Sequence, residues 1–440
     1  MISLGRMMNL FLVVLAVFCC SVTVGADATF QGLGDVAHFG ELSHAASVSA
    51  DGTVVVGMIR DLTFFNTEAF VWTQSTGLRR LGDLPGGRFS SSAHGVSADG
   101  AVVVGVGTVT EDIYDLPRIG DEPEPWTPIK RVLMEKAFRW TESEGMVELK
   151  DSNEPLLYDP LTMPLAMDPM YRGRPYTKSA AYDVSADGTV IVGESLGKAA
   201  RWTLDEEPER LGGQEPHSVM RFSGTARGLS QDGQIIIGSL KRESPWGDDF
   251  EDGQAVVWTT GRYIRRGLGH LKGFLGQPYG VAEAISSDGS VVVGYETWQV
   301  PGTDDNPYSY NQAFRFDMRD LPEPGVRDFP EQSVVQPLGA LFGGSSRAND
   351  ISADGSIIVG ESDGHAFIWD EANGIRNLKY VLETQYGLDL SNWKLTSANS
   401  ISADGRTIVG DGVYTVYAQL PDGSQWEVFI DSESWIAVLP

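Results

Sequence analysis

Cysteine is nearly absent. The 440 residues contain two, Cys19 and Cys20, adjacent to each other near the start. Once the segment carrying them is removed no disulfide can form, so stability must come from a hydrophobic core and from closure of the fold. Positive charge is also scarce: 33 Lys and Arg stand against 60 Asp and Glu, a formal net charge of -27. The short basic pairs, such as Arg79-Arg80 and Arg265-Arg266, make no patch, so nucleic acid is excluded as a partner by repulsion. After the run from Leu10 to Phe18 no stretch is long and apolar enough to cross a membrane. Common catalytic signatures are missing as well. There is no Gly-rich phosphate loop and no Gly-x-Ser-x-Gly elbow, and the six histidines (His38, His44, His94, His217, His270 and His365) include no pair at metal spacing.

Glycine and turns are plentiful. With 51 Gly and 22 Pro, many strand-sized apolar runs and one short helical segment, the composition points to an all-β chain. The stretch Val48-Ser49-Ala50-Asp51-Gly52-Thr53-Val54-Val55-Val56-Gly57 recurs six more times, beginning at Val96, Val184, Leu229, Ile285, Ile351 and Ile401. Asp-Gly between two β-prone runs is a hairpin signal, because Gly accepts positive φ and Asp bonds its own backbone. The motif therefore predicts a turn. It holds no nucleophile beside a base.

The start of the chain differs from the rest. Arg6, the apolar run to Phe18 and the small residues Val24-Gly25-Ala26 form the pattern of a cleavable secretory signal. Residues 1–26 are expected to be removed, with cleavage after Ala26 or Ala28. The destination is then the periplasm, the cell surface or the exterior. Phe18 before Cys19 is a poor lipidation context, though lipidation of Cys19 or Cys20 stays open.

The first repeat sets the pattern for residues 29–440, read as one domain. Ala45 to Ser49 is a strand, Asp51-Gly52 turns, and Thr53 to Ile59 is its partner. Glu68 to Trp72 is a third strand and Leu78 to Leu84 a fourth. Four short antiparallel strands in about 45 residues make one propeller blade. The third strand returns at Ala137-Phe138-Arg139-Trp140, Ala199 to Trp202, Ala255 to Trp258, Ala313 to Phe316 and Ala366 to Trp369, and more loosely at Trp435-Ile436-Ala437. Its alternating aromatics fill the wedge against the next blade. The last repeat lacks a fourth strand, while Leu33-Gly34-Asp35 matches one with no repeat before it. The expectation is a seven-bladed β-propeller whose terminal strands share one blade, leaving no open edge.

Extra residues fall at about 106–136, 150–177, 239–254, 295–312 and 379–393. Alternating strand direction places these insertions on one rim, the usual home of binding loops. Within the last of them, Tyr380 to Leu390 carries apolar residues at helical spacing.

The repeated turn, the Ala-Phe-x-Trp strand, the Leu-Gly-x-Leu-x-Gly-Gly at Leu81 to Gly87 and at Leu338 to Gly344, and the ending at Trp435-Ile436-Ala437 together resemble the bacterial HAF-type extracellular repeat proteins. The resemblance covers essentially the whole chain after the signal. The first hairpin is also similar to the Ser-Pro-Asp-Gly turn of TolB-like propellers, with Ala, Ser or Gln in place of Pro. The resemblance implies export and a propeller-like fold. It implies no established reaction and carries over no catalytic residue.

Two groups of candidate residues remain. Six residues before each motif Asp stands Ala, and the next position varies: Ala46, His94, Tyr182, Arg227, Glu283, Asn349 and Asn399. Around a central mouth, His94, Tyr182, Arg227, Glu283, Asn349 and Asn399 are candidates to hydrogen-bond a sugar or peptide, unless they line a wet channel and nothing more. The second group is acidic. Asp248, Asp249, Asp252, Asp304 and Asp305 sit in two insertions where oxygen ligands could hold Ca2+, although neither run matches the calcium loop and a solvated acidic loop explains both. No other cofactor is expected. The leading reading is an exported, non-enzymatic, monomeric propeller that binds an extracellular glycan or protein on its loop-rich face. The alternatives are a polysaccharide lyase or glycoside hydrolase at the channel mouth, or a structural component of the envelope or matrix.

Overall fold

The computed structural model describes residues 27–34, 41–63, 66–87, 89–114, 128–151, 176–177, 179–204, 206–211, 221–243, 253–259, 264–271, 279–300, 308–321, 335–419 and 425–440. Residues 1–26, expected to be a signal segment and holding both cysteines, lie outside them, as do Asp248, Asp249, Asp252, Asp304 and Asp305.

Each repeat begins with the same turn. In the first, the Ser49 hydroxyl donates to Asp51 Oδ1 at 2.6 Å, the Thr53 amide donates to that oxygen at 3.0 Å, and the Val54 amide donates to Ser49 Oγ at 3.0 Å. The arrangement recurs at Ser97/Asp99, Ser185/Asp187, Ser230/Asp232, Ser286/Asp288, Ser352/Asp354 and Ser402/Asp404. All seven serines are buried, so the turn carries its own partners into the core. Gly52 has φ 74°, a left-handed conformation that the turn requires and that Gly adopts at no steric cost.

The turns are also tied to each other. The amide of Ala98 donates to the carbonyl of Ala186, and the same step runs from Ala186 to Gln231, Gln231 to Ser287, Ser287 to Ala353, Ala353 to Ala403 and Ala403 to Ala50. Between the first two turns the link is packing: a Cβ on Gly100 would meet the Val54 side chain at 2.4 Å. The seven turns thus form a closed circuit.

Strands radiate from this circuit in an all-β propeller. The first sheet holds Glu41–Val48, Val54–Asp61, Thr67–Thr73 and Gly77–Gly82. The second holds Ser91–Val96, Val102–Tyr114, Pro128–Thr141 and Gly145–Glu148, with Tyr176–Thr177 added in parallel. A third runs through Ser179–Val184, Val190–Ser195, Lys198–Thr203 and Glu209–Arg210. Another comprises Ser346–Ile351, Ile357–Ser362, His365–Asp370 and Gly374–Asn377. The terminal sheet joins Trp393–Ile401, Thr407–Gln419 and Gln425–Val438 to Thr29–Gly32, with Gln31 opposite Ile436 and Gly32 opposite Trp435. Both ends of the chain therefore build one sheet, through Thr29–Gly32 and the Leu33 amide, which donates to the Ser434 carbonyl at 2.8 Å.

The blade count departs from the repeat count. Five sheets stand separately, where the repeats predict seven blades, and the remaining strands from Arg221 to Pro337 form one eight-stranded sheet. The cause is local. Gly253 pairs in parallel with Tyr279 and bridges Gly253–Thr259 to Tyr279–Ile285. A Cβ at Gly253 would fall 1.7 Å from the Tyr279 ring, so only Gly permits this approach.

The core lies between sheets. Phe70 and Trp72 of the first pack with Leu33, Val409 and Ile436 of the terminal sheet. Phe138 and Trp140 pack with Val56 and Val71, as the alternating aromatics predict. The insertions are less loop-like than their lengths suggest. Val102–Tyr114 and Pro128–Thr141 pair over their length as one long hairpin, and so do Val291–Val300 and Tyr308–Asp317. The expected helix is present at Leu378–Tyr386, shifted from Tyr380 to Leu390, capped by the Asn377 side chain and ended by Gly387 at φ 69°. Leu388 to Leu390 lie beyond it.

Candidate functional site: the bulged ring

The innermost strand of every repeat carries a β-bulge at one position. Pairing slips between Ala45 and Ser47, and again between Ala93/Gly95, Ala181/Asp183, Ala226/Gly228, Ala282/Ala284, Ala348/Asp350 and Ala398/Ser400. The residues left over are Ala46, His94, Tyr182, Arg227, Glu283, Asn349 and Asn399. A bulge removes one residue from the ladder and re-aims its side chain. The alanine before each bulge is fully buried. The glycine that ends the motif answers the same bend: a Cβ on Gly57 would lie 1.9 Å from the His44 carbonyl oxygen, and one on Gly410 would lie 2.0 Å from that of Ser397.

The six polar ring residues divide into two groups. His94, Asn349 and Asn399 reach sideways to the next repeat. His94 Nδ1 lies 2.9 Å from the Ala181 carbonyl oxygen. Asn349 Nδ2 donates to the Ala398 carbonyl at 3.0 Å and to Ser397 Oγ at 3.2 Å. Asn399 Nδ2 donates to the Ala45 carbonyl at 2.7 Å and to Asp411 Oδ2 at 2.8 Å. These three brace neighbouring inner strands, so their donors are committed to the scaffold.

Tyr182, Arg227 and Glu283 behave differently. His94 stacks on Tyr182 with ring centroids 5.4 Å apart and an interplanar angle of 13°. The Arg227 guanidinium lies 4.7 Å from the centroid of the same ring. The Tyr182 hydroxyl makes one long contact, 3.5 Å to Glu194 Oε1. Among the described residues Arg227 has no hydrogen-bond or ion-pair partner, and its buried Nε is unsatisfied. Glu283 sits beside it, close enough for each charge to act on the other without a direct ion pair. Arg347 also acts on Glu283 and lies 4.7 Å from the Tyr295 ring centroid.

Burial sets the protonation states. It pulls His94 down to about 4, against the raising effect of the Ala181 carbonyl, with His44 and Arg227 adding to the fall. It pushes Tyr182 up to about 12, helped by Glu194 and opposed by Arg227. Glu283 is raised by burial against the pull of Arg227 and Arg347. At neutral pH the ring therefore presents a neutral imidazole, a neutral phenol and a guanidinium, while burial favours the neutral form of the Glu283 carboxyl.

Two features escape sequence reading. His44 Nδ1 sits 2.6 Å from Asp411 Oδ2, while Asp411 Oδ1 accepts from the Ala45 amide and the Ser434 hydroxyl, each at 3.2 Å. Asp411 thus fixes the seam between first and last repeats. Two half-buried carboxylates, Asp183 and Asp350, latch neighbours one residue past the bulge. Asp183 Oδ2 accepts from the Leu229 amide at 3.2 Å, and Asp350 Oδ2 accepts from the Ile401 amide at 2.8 Å. The signal for both was polarity just after the bulge position. Among the described residues no group of three or more His, Cys, Asp or Glu is placed to hold a metal, and no helix is long and apolar enough to cross a membrane.

No family model and no curated protein matches the chain. Solved structures similar to it include dipeptidyl peptidase 4 of Porphyromonas gingivalis, at 11% identity and a TM-score of 0.40, covering 91% of this chain and 54% of that one. The β-propeller domain of the trilobed protease of Pyrococcus furiosus is similar at 10% identity and a TM-score of 0.39, covering 90% and 94%. A puromycin-hydrolyzing peptidase of Mycobacterium tuberculosis gives 15% identity and a TM-score of 0.42, covering 90% and 55%. The chain spans about half the length of the first and third. Likeness at this level carries no argument about activity, and the propeller fold stands on the strand pairing itself.

Proposed function

We propose that the protein is an exported, non-enzymatic propeller that binds a protein or glycan partner at the mouth of its central channel, on the face with the long insertions. The observation that carries this reading is the repeated bulge: it takes one variable residue per repeat out of the inner-strand ladder while the flanking alanine and glycine stay constant. Three of those side chains, Tyr182, Arg227 and Glu283, make no hydrogen bond to backbone among the described residues. In the same reading the eight-stranded sheet is two blades fused at Gly253 and Tyr279, which gives seven modules around the ring.

The polysaccharide lyase alternative requires a base near neutrality. A His94 held at about 4 and a Tyr182 at about 12 do not supply one. The glycosidase alternative requires paired carboxylates, and Glu283 is the one acidic member of the bulged ring. The test is an array of glycans and peptides probed with the purified full chain and with Arg227→Gln. A ligand retained by the native chain and lost by the variant supports the reading. Ligands bound equally by both place binding elsewhere, and product released from a bound glycan would mark an enzyme.

A further inference from the structure

The bulged ring also bears on what kind of ligand it takes, an inference that rests on the binding reading above. Aromatic faces are the usual platform for a sugar ring, and here they are covered. Tyr182 carries the His94 imidazole and the Arg227 guanidinium, from the repeats before and after it. Tyr295 carries Arg347. What remains exposed to a ligand is charge. The Arg227 guanidinium carbon lies 4.7 Å from the Tyr182 centroid, and the guanidinium has no acceptor among the described residues, its buried Nε included. Glu283 follows in the next repeat on a strand packed close by: a Cβ on Gly228 would lie 3.1 Å from the Glu283 carbonyl oxygen. The Arg227 guanidinium and the Glu283 carboxyl, half-buried and adjacent, make no direct hydrogen bond or ion pair with each other. An unpaired buried charge is costly, and an anion alone or a cation alone would satisfy one while leaving the other.

We propose that this pair recognises a compact zwitterion, an amino acid or short peptide whose carboxylate meets Arg227 and whose ammonium meets Glu283. A guanidinium edge takes a carboxylate through two parallel hydrogen bonds, and a carboxylate accepts from an ammonium, so the ligand completes both halves. The covered Tyr182 acts as a positioning residue that holds the guanidinium plane.

The experiment is titration calorimetry of the full chain with dialanine carrying both free ends, with its N-acetyl form and with its C-terminal amide. The expected result is binding of the free dipeptide, weakened at least about tenfold by blocking either end. Arg227→Gln and Glu283→Gln should each weaken it about tenfold or more. Arg227→Lys, which keeps the charge and loses the fork, should fall between. Circular dichroism and a melting curve establish that each variant is folded. Equal binding of the blocked forms, or binding indifferent to all three substitutions, overturns the proposal. If an uncharged glycan binds in an Arg227-dependent way and dialanine does not, the zwitterion is wrong and the channel mouth still binds. If no probe of either class binds the folded native chain, both readings fall.

Discussion

At the residue scale, the motif glycine that follows the three β-branched positions shows how tightly this chain is specified. Gly57 has no room for a Cβ because the bulge at Ala46 swings the His44 carbonyl against it. Gly57→Ala should destabilise the protein by about 1–3 kcal/mol, the cost of an overpacked core site, read as a lowered midpoint in denaturant titration. An unchanged midpoint would mean the inner strands are not held this close. Asp183 supplies a second test at the same scale. Burial raises its carboxyl from 3.8 to about 7, with hydrogen bonds from the Val184 and Leu229 amides working in the opposite direction. The folded chain therefore keeps a proton that the unfolded chain has released, and this group's contribution to stability falls as pH rises from about 4 to 7. His94 works in the other direction, since its lowered value makes stability fall as pH drops from 6.5 towards 4. Asp183→Asn removes one side of that balance. Melting curves from pH 4 to 8 should show the variant gaining on the native chain as pH rises, by on the order of 2 kcal/mol. Parallel profiles would contradict the assignment.

At the scale of elements, the turn, the third-strand aromatics and the closing strand were legible because each is written in a local pattern: Asp-Gly for the hairpin, alternating Ala-Phe-x-Trp for the wedge, a stray Leu-Gly for the missing edge. The bulge was not legible. It adds one residue to an inner strand without any turn residue to announce it, and its trace is the alanine-then-variable pair, which shows a special position and gives no register. The long hairpins were misread for a related reason. Val106 to Tyr114 alternates as a strand should, yet extra length between two strands reads as a loop unless the partner's alternation is weighed with it. The eight-stranded sheet depends on one contact at Gly253, beyond any sequence period. Phe30 is the element-scale prediction. It stacks on Trp435 with centroids 5.8 Å apart and meets Trp393 edge-on at 5.2 Å, pinning the closing strand to the terminal sheet. Phe30→Ala should cost about 2 kcal/mol and raise amide exchange along Thr29–Gly32 and its partner strand above that of the other sheets.

At the scale of the whole molecule, closure decides whether there is a site at all. The bulged residues form a ring only if the first and last repeats meet, and three kinds of contact join them: the ladder between Thr29–Gly32 and Gln425–Val438, the His44–Asp411–Asn399 cluster, and the Ala403 amide on the Ala50 carbonyl. Without disulfides in the described chain, these contacts and the hydrophobic cores between and within the sheets carry the load. The acidic surface, with a formal net charge of -27, makes the guanidinium of Arg227 a cation in an otherwise anion-repelling field. Any anionic ligand must therefore be recognised locally, by a contact close enough to outweigh the long-range repulsion.

The most direct test of closure is a disulfide between the two ends. Thr29 and Val438 are register partners on exposed positions, at a separation that antiparallel pairing keeps within disulfide reach. In a chain with Cys19 and Cys20 replaced by serine, Thr29→Cys with Val438→Cys should oxidise to an intramolecular bond in the native state, seen as faster migration on a non-reducing gel and loss of both free thiols. Thiols that stay free in the folded protein, or that form only intermolecular bonds, would contradict the closed ring and the site built on it.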